Sequence, residues 1–192
     1  MSEASEAVEA VEKNRTVALV IAILALLLAL AEAGAKNAQH QSTENNIESS
    51  DLFNFYQAKR IRSTIAETSA AMLEAQKSAV SDPKAQEAFE KQIADFKATV
   101  ARYEKDPKTP EDSLDKIQDR AKEAVERREL ANRRLEHYEL GSGLTQIAIV
   151  LASAAIITGI AALIWFSVAL GVIGTALIAF GFFAPTVLPL VG

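Results

Sequence analysis

Residues 141 to 192 contain no aspartate, glutamate, lysine or arginine. A stretch so apolar, about twice the ~20 residues that one bilayer-spanning helix needs, restricts a chain to very few folds. Two spans joined by a tight turn fit it, at 141–163 and 167–189. Trp165 and Phe166 fall between them, and aromatic side chains at headgroup level mark a membrane interface. Pro185 and Pro189 are placed to end the last helix.

A third apolar run occupies the other end of the chain. Thr16 to Ala31 reads TVALVIAILALLLALA and extends to Ala35 across Glu32, giving a span at 16–35 behind a polar tail at 1–15. A secretory signal peptide is the rival, since Lys13 and Arg15 make a basic region and Ala31-Glu32-Ala33 resembles a cleavage site. The run exceeds the usual apolar length of ~7–15 residues in such signals, which favours a retained anchor.

Between these ends the composition inverts. Of the 20 basic residues only Lys13 and Arg15 lie outside 36–140, so the average of 49% hydrophobic and 23% charged describes neither part. The charges of 36–140 are mixed in sign, which excludes the one-signed field that draws in nucleic acid. Cysteine is absent, so disulfides and thiolate metal sites are excluded. No glycine interrupts the block, which is rich in Ala, Glu, Lys, Arg and Gln and favours helix throughout.

Ser81-Asp82-Pro83 and Asp106-Pro107-Lys108-Thr109-Pro110 divide this block into three helical stretches. Pro83 suits a first helical turn behind an Asp or Ser cap, and Thr109 with Pro110 suits the start of the next helix. Each stretch carries apolar residues at alternating spacings of three and four, the seam of a coiled coil. The seams are Ala58, Ile61, Ile65, Thr68, Met72, Ala75 and Ala79; then Phe89, Ile93, Phe96, Val100 and Tyr103; then Leu114, Ile117, Ala121, Ala124, Arg128, Ala131, Leu135 and Tyr138. Because the flanking spans must meet the block on one side of a membrane, the expected shape is a hairpin, one long helix out and two shorter ones back. The fold class is therefore all-α: an integral membrane protein with three transmembrane helices and a long antiparallel, coiled-coil-like hairpin between the first and second. Seams so thin in large residues predict a homo-oligomer.

Three segments add a resemblance. Ser50-Asp51-Leu52-Phe53-Asn54-Phe55-Tyr56-Gln57-Ala58-Lys59-Arg60-Ile61-Arg62, Arg102-Tyr103-Glu104-Lys105 and Gln146-Ile147-Ala148-Ile149-Val150-Leu151-Ala152-Ser153 resemble, in the same order, motifs of a bacterial membrane protein family catalogued as domain of unknown function 4337. The resemblance implies three spans and a bacterial inner membrane, and no activity. It also implies arginines in the last turn, where this chain has Gly159 to Trp165 without charge. Lys13 and Arg15 favour a cytoplasmic N-terminus and so a periplasmic domain, while Lys122, Arg127, Arg128, Arg133 and Arg134 before the second span favour a cytoplasmic one. The block exceeds the ~60 residues over which that rule counts, and the expectation is periplasmic.

Few residues suggest chemistry. Phe53, Phe55 and Tyr56 with Lys59, Arg60 and Arg62 could contact lipid headgroups or a partner, although helix packing with snorkelling cations is the plainer reading. Gly171, Gly174 and Gly181 share a helical face with Ile178 and suit close packing between spans. His40 and His137 match no ligand spacing and read as solvated surface. No phosphate loop, nucleophile elbow or zinc motif appears. The sequence predicts no enzyme, no cofactor, no metal and no small-molecule substrate. It predicts a membrane-anchored scaffold or interaction protein in contact with the bilayer, with an oligomeric pore lined by Thr145, Gln146 and Ser153, or an accessory subunit of a larger membrane complex, as alternatives.

Overall fold

In a computed structural model the backbone is described for residues 2–187 and the side chains for 15–187. Helix dominates, and the described residues contain no strand. The elements are α1 (Ser2–Ser78), α2 (Pro83–Glu104), a 3₁₀ turn (Pro110–Asp112), α3 (Leu114–Thr158) and α4 (Ala161–Phe183). α1, α3 and α4 each contain a segment long and apolar enough to cross a membrane. α1 continues without a break past residue 35, where the first span is expected to end. No proline and only one glycine, Gly34, occur before Ser78 to interrupt it.

The chain divides into two compact units, residues 1–43 with 128–192 and residues 44–127. In the first unit, Val17, Leu24, Ala31 and Ala38 are buried along α1 at seven-residue intervals. Ala148, Ala152 and Ala155 of α3 and Gly171, Gly174 and Gly181 of α4 are buried in the same unit. These are mostly small side chains, which lets helix backbones approach closely. Large ones point away: Leu19, Leu26, Leu30, Val150 and Ile157 are exposed.

The turn between α3 and α4 lies at Gly159 and Ile160, earlier than the sequence suggests. Gly159 has φ +70° and its N–H donates to Ala155 O at 2.9 Å. This left-handed cap is inexpensive only for glycine. Trp165 and Phe166, expected in the turn, instead belong to the beginning of α4 and are exposed. The spans expected at 141–163 and 167–189 are thus corrected to segments ending at Thr158 and running from Ala161 to Phe183. Pro185 follows α4 directly, and Pro189 lies outside the described residues.

In the second unit Asp82 caps α2, its carboxylate accepting from Lys84 N at 3.2 Å, with Pro83 in the first turn as expected. α3 begins later than Pro110. Thr109 makes no side-chain cap, and Ser113, with φ −67° and ψ 146°, takes the capping position while its carbonyl accepts from Ile117 N at 2.9 Å. The α2 seam is as expected: Ile93 is buried, and Phe89, Phe96, Val100 and Tyr103 are half-buried. So is the α3 seam, where Leu114, Ile117, Ala121 and Ala124 are buried.

The seam of α1 is not the expected one. Ile61 (59% exposed), Ile65 (60%) and Met72 (59%) face outward, and Ala58, Thr68, Ala75 and Ala79 are exposed with them. Ser49, Leu52, Ser63, Ala66 and Ala70 are buried, with Tyr56, Lys59, Leu73 and Lys77 half-buried, spaced three and four apart on the other side of the helix. Small residues make up most of that buried side, and Leu52 forms a core with Ile117 and Ala121, with Tyr56 against it.

Candidate functional site

The aromatic and basic motif on α1 is partly consumed by packing. Tyr56 lies against the Leu52–Ile117–Ala121 core. The Lys59 ammonium sits 5.1 Å from the Phe55 ring centroid and donates to the Asp112 carbonyl. Arg60 is 3.9 Å from Glu67, an exposed pair of small energetic weight. Phe53, Phe55, Arg60 and Arg62 remain exposed. The six residues do not converge on one cavity; only Tyr56 and Arg60 line an open groove of 680 Å³, with Glu104, Lys105 and Asp115 around it.

Contacts between α1 and the rest of its unit follow a regular order. Lys77 pairs with Glu90, Lys97 with Glu74 at 2.7 Å, Lys59 with the Asp112 carbonyl, and Arg127 with Glu48 at 2.8 Å. Partner numbers rise along α2 and α3 as they fall along α1. These pairs are exposed or half-exposed and set register more than stability.

The opposite face of α1 carries no such partners. Ile61, Ile65 and Met72 form a continuous stripe with Ala58, Thr68, Ala75 and Ala79. The positions flanking it are Gln57, Thr64, Ser69, Ala71, Gln76 and Ser78, with Arg62 as the one charge. An apolar stripe this regular, flanked by small or uncharged side chains, has the form of a helix–helix seam.

The glycine face of α4 packs within its own unit. A Cβ on Gly174 would lie 2.7 Å from Thr145 Oγ1 and 2.9 Å from the Gly141 carbonyl, and one on Gly171 would lie 2.8 Å from a Leu24 methyl. One on Gly181 would lie 2.9 Å from His137 Cβ. Gly141 is the counterpart that sequence reasoning missed. Its spacing from Thr145, Ala148, Ala152 and Ala155 was the available signal, hidden because Gly141 stands at the border of charged and apolar sequence.

His137 corrects another expectation. It is buried, not solvated, with Nδ1 2.7 Å from the Arg133 carbonyl. That contact requires the proton on Nδ1 and leaves Nε2, which has no partner. His40 is exposed. Among the described residues no three His, Asp or Glu side chains form a metal-sized cluster.

Neither a curated protein nor a solved structure matches the chain. A family model does, over residues 13–184, covering all four helices apart from the start of α1. With three membrane-length helices and the motifs of residues 50–62, 102–105 and 146–153 all inside that match, the chain belongs to the family described as Domain of unknown function (DUF4337).

Proposed function

We propose that this chain is a membrane-anchored interaction protein that self-associates through the outer stripe of α1. The observation that carries the reading is the exposure of Ile61, Ile65 and Met72 at seam spacing on a helix already packed on its other side. In this reading the charged block is an antiparallel hairpin, supported by the reversed order of the pairs 77–90, 74–97, 59–112 and 48–127. Copies inserted in one membrane share an orientation, so neighbouring α1 segments run parallel and each stripe residue meets its own counterpart. Arg62 is the one charge on the flanks, so little like-charge repulsion opposes that approach. In this reading the membrane is the bacterial inner membrane that the family resemblance implies, and the hairpin is periplasmic, an orientation supported by Lys13 and Arg15 ahead of the first span.

A pore is the weaker reading. Thr145 is fully buried with its hydroxyl donating to the Gly141 carbonyl at 2.8 Å, and Ser153 donates to the Ile149 carbonyl at 2.9 Å. Gln146 is 3.4 Å from Glu32 of α1. Hydroxyls spent on their own backbone offer little to a lumen.

The chain has no cysteine, so a single introduced thiol is unique. Mild oxidation of intact membranes should link Ile61→Cys or Ile65→Cys into a species of twice the mass, and leave Ser63→Cys, on the packed side, monomeric. No dimer from either stripe position sinks the self-association. A membrane-impermeant maleimide applied to unbroken cells should label Gln92→Cys, an exposed position of α2 outside the stripe, and protection until lysis would reverse the orientation.

A further inference from the structure

We propose that the groove between α1 and α4 in the first unit binds one anionic membrane lipid, with its phosphate at Arg134. The groove has a volume of 560 Å³ and changes character along its length. Leu27, Leu30 and Ala179 line one end; Asn37, Arg134 and Tyr138 line the other, with Phe182 and Phe183 also in the wall. Leu27 and Asn37 are about ten residues apart on one helix, roughly 15 Å. That is the hydrocarbon depth of a single leaflet, half of ~30 Å. The form suits an acyl chain below and a polar headgroup above.

Arg134 supplies the second observation. Its Nε is buried and has no hydrogen-bond acceptor among the described residues, a costly state for a guanidinium N–H. Phosphate oxygens match the guanidinium fork and form charge-assisted hydrogen bonds with it. A free anion would leave the apolar half of the groove uncovered. A span from a second copy would cover it, but the one carboxylate in residues 16–35 and 141–192, that of Glu32, already accepts from Gln146 Nε2 at 3.4 Å. The occupant that satisfies both ends is an amphiphile with a negative head.

This inference rests on the membrane reading above, and its test separates the two. Full-length protein is extracted and exchanged into mild detergent containing equal phosphatidylglycerol and phosphatidylcholine. Native mass spectrometry then counts the lipids retained. The wild type should retain one phosphatidylglycerol in preference to phosphatidylcholine. Arg134→Gln should weaken that retention by about tenfold or more. Ala179→Phe, which fills the apolar half while leaving Arg134 in place, should also lose it. Arg133→Gln removes an exposed charge one residue away and should retain the lipid. Inorganic phosphate in excess should not displace it. Equal retention of both lipids, displacement by inorganic phosphate, or equal loss in Arg133→Gln and Arg134→Gln overturns the groove, with helix content by circular dichroism confirming that each variant is folded. If the protein extracts without detergent, the membrane reading falls instead.

Discussion

Both units expose large apolar side chains, and the two exposures have different causes. In the first unit Leu19, Leu26, Val150 and Ile157 point out of segments whose surface is mostly apolar, while mostly alanine and glycine fill the interior. That inverted order is expected where lipid is the solvent, because helix association there depends on close packing and not on removing apolar area from water. In the second unit Ile61, Ile65 and Met72 stand on a helix whose other faces carry charges and whose interior holds Leu52, Ile93 and Ile117. No lipid is required to explain those charged faces, and the stripe on such a helix is what the proposed self-association rests on. Exposure alone thus decides nothing; the polarity of the surrounding faces does.

The largest effect that would break this comparison falls on the glycine contact of the first unit. Gly174→Leu must displace Thr145 and the Gly141 backbone, and should cost about 3 kcal/mol or more. Gly143 has open space around its Cβ position, so Gly143→Ala should be neutral or stabilising by up to ~1 kcal/mol. Denaturant titration in detergent compares the two, and an equal response would mean that close packing is not what holds this unit. Next in size is the stripe. Ile61→Asn with Ile65→Asn removes side chains together worth roughly 1–2 kcal/mol per copy when part of their exposed area is buried. Self-association should weaken about a hundredfold in sedimentation equilibrium, with the monomer still helical. Loss of helix instead would place these residues in the fold and not at a partner.

How far the sequence foretold this follows from the same contrast. The apolar segments, the break at Pro83 and the seams of α2 and α3 were legible because in them large residues face inward, as the usual reading assumes. The seam of α1 was not. Ranking by size selected Ile61, Ile65 and Met72, whereas the buried side of the helix carries the small residues Ser63, Ala66 and Ala70. Trp165 and Phe166 misplaced the last turn because interfacial aromatics sit on helices near their ends, and the turn itself needed the left-handed Gly159. The burial of His137 had no local signal, since it depends on Gly181 far along the chain. The unpaired Nε of Arg134 was equally silent, for a sequence does not say which arginines lack acceptors.

Smaller effects sharpen the contrast at the two connections. Gly159→Ala forces a Cβ into φ +70° and should cost about 1 kcal/mol through the turn of the first unit, with no dependence on pH, because that turn carries no titratable group. The connection between α2 and α3 behaves differently. Asp106 accepts from the Lys108 N–H at 2.9 Å, and this backbone hydrogen bond, outweighing the opposing effect of burial, holds its carboxyl below the ordinary value; Thr109 and Arg102 act in the same direction. A depressed folded pKa means that the stabilisation is complete above the unfolded value near ~3.9 and is lost as pH falls through the folded one. A carboxyl-carbon chemical-shift titration should therefore give Asp106 a midpoint below ~3.9, with the Lys108 amide signal moving at the same midpoint. Asp106→Asn should hold the amide in place across that range. A midpoint at or above the ordinary value would mean that the Lys108 bond does not persist in solution, and the second unit's connection would then be as insensitive to pH as the glycine turn of the first.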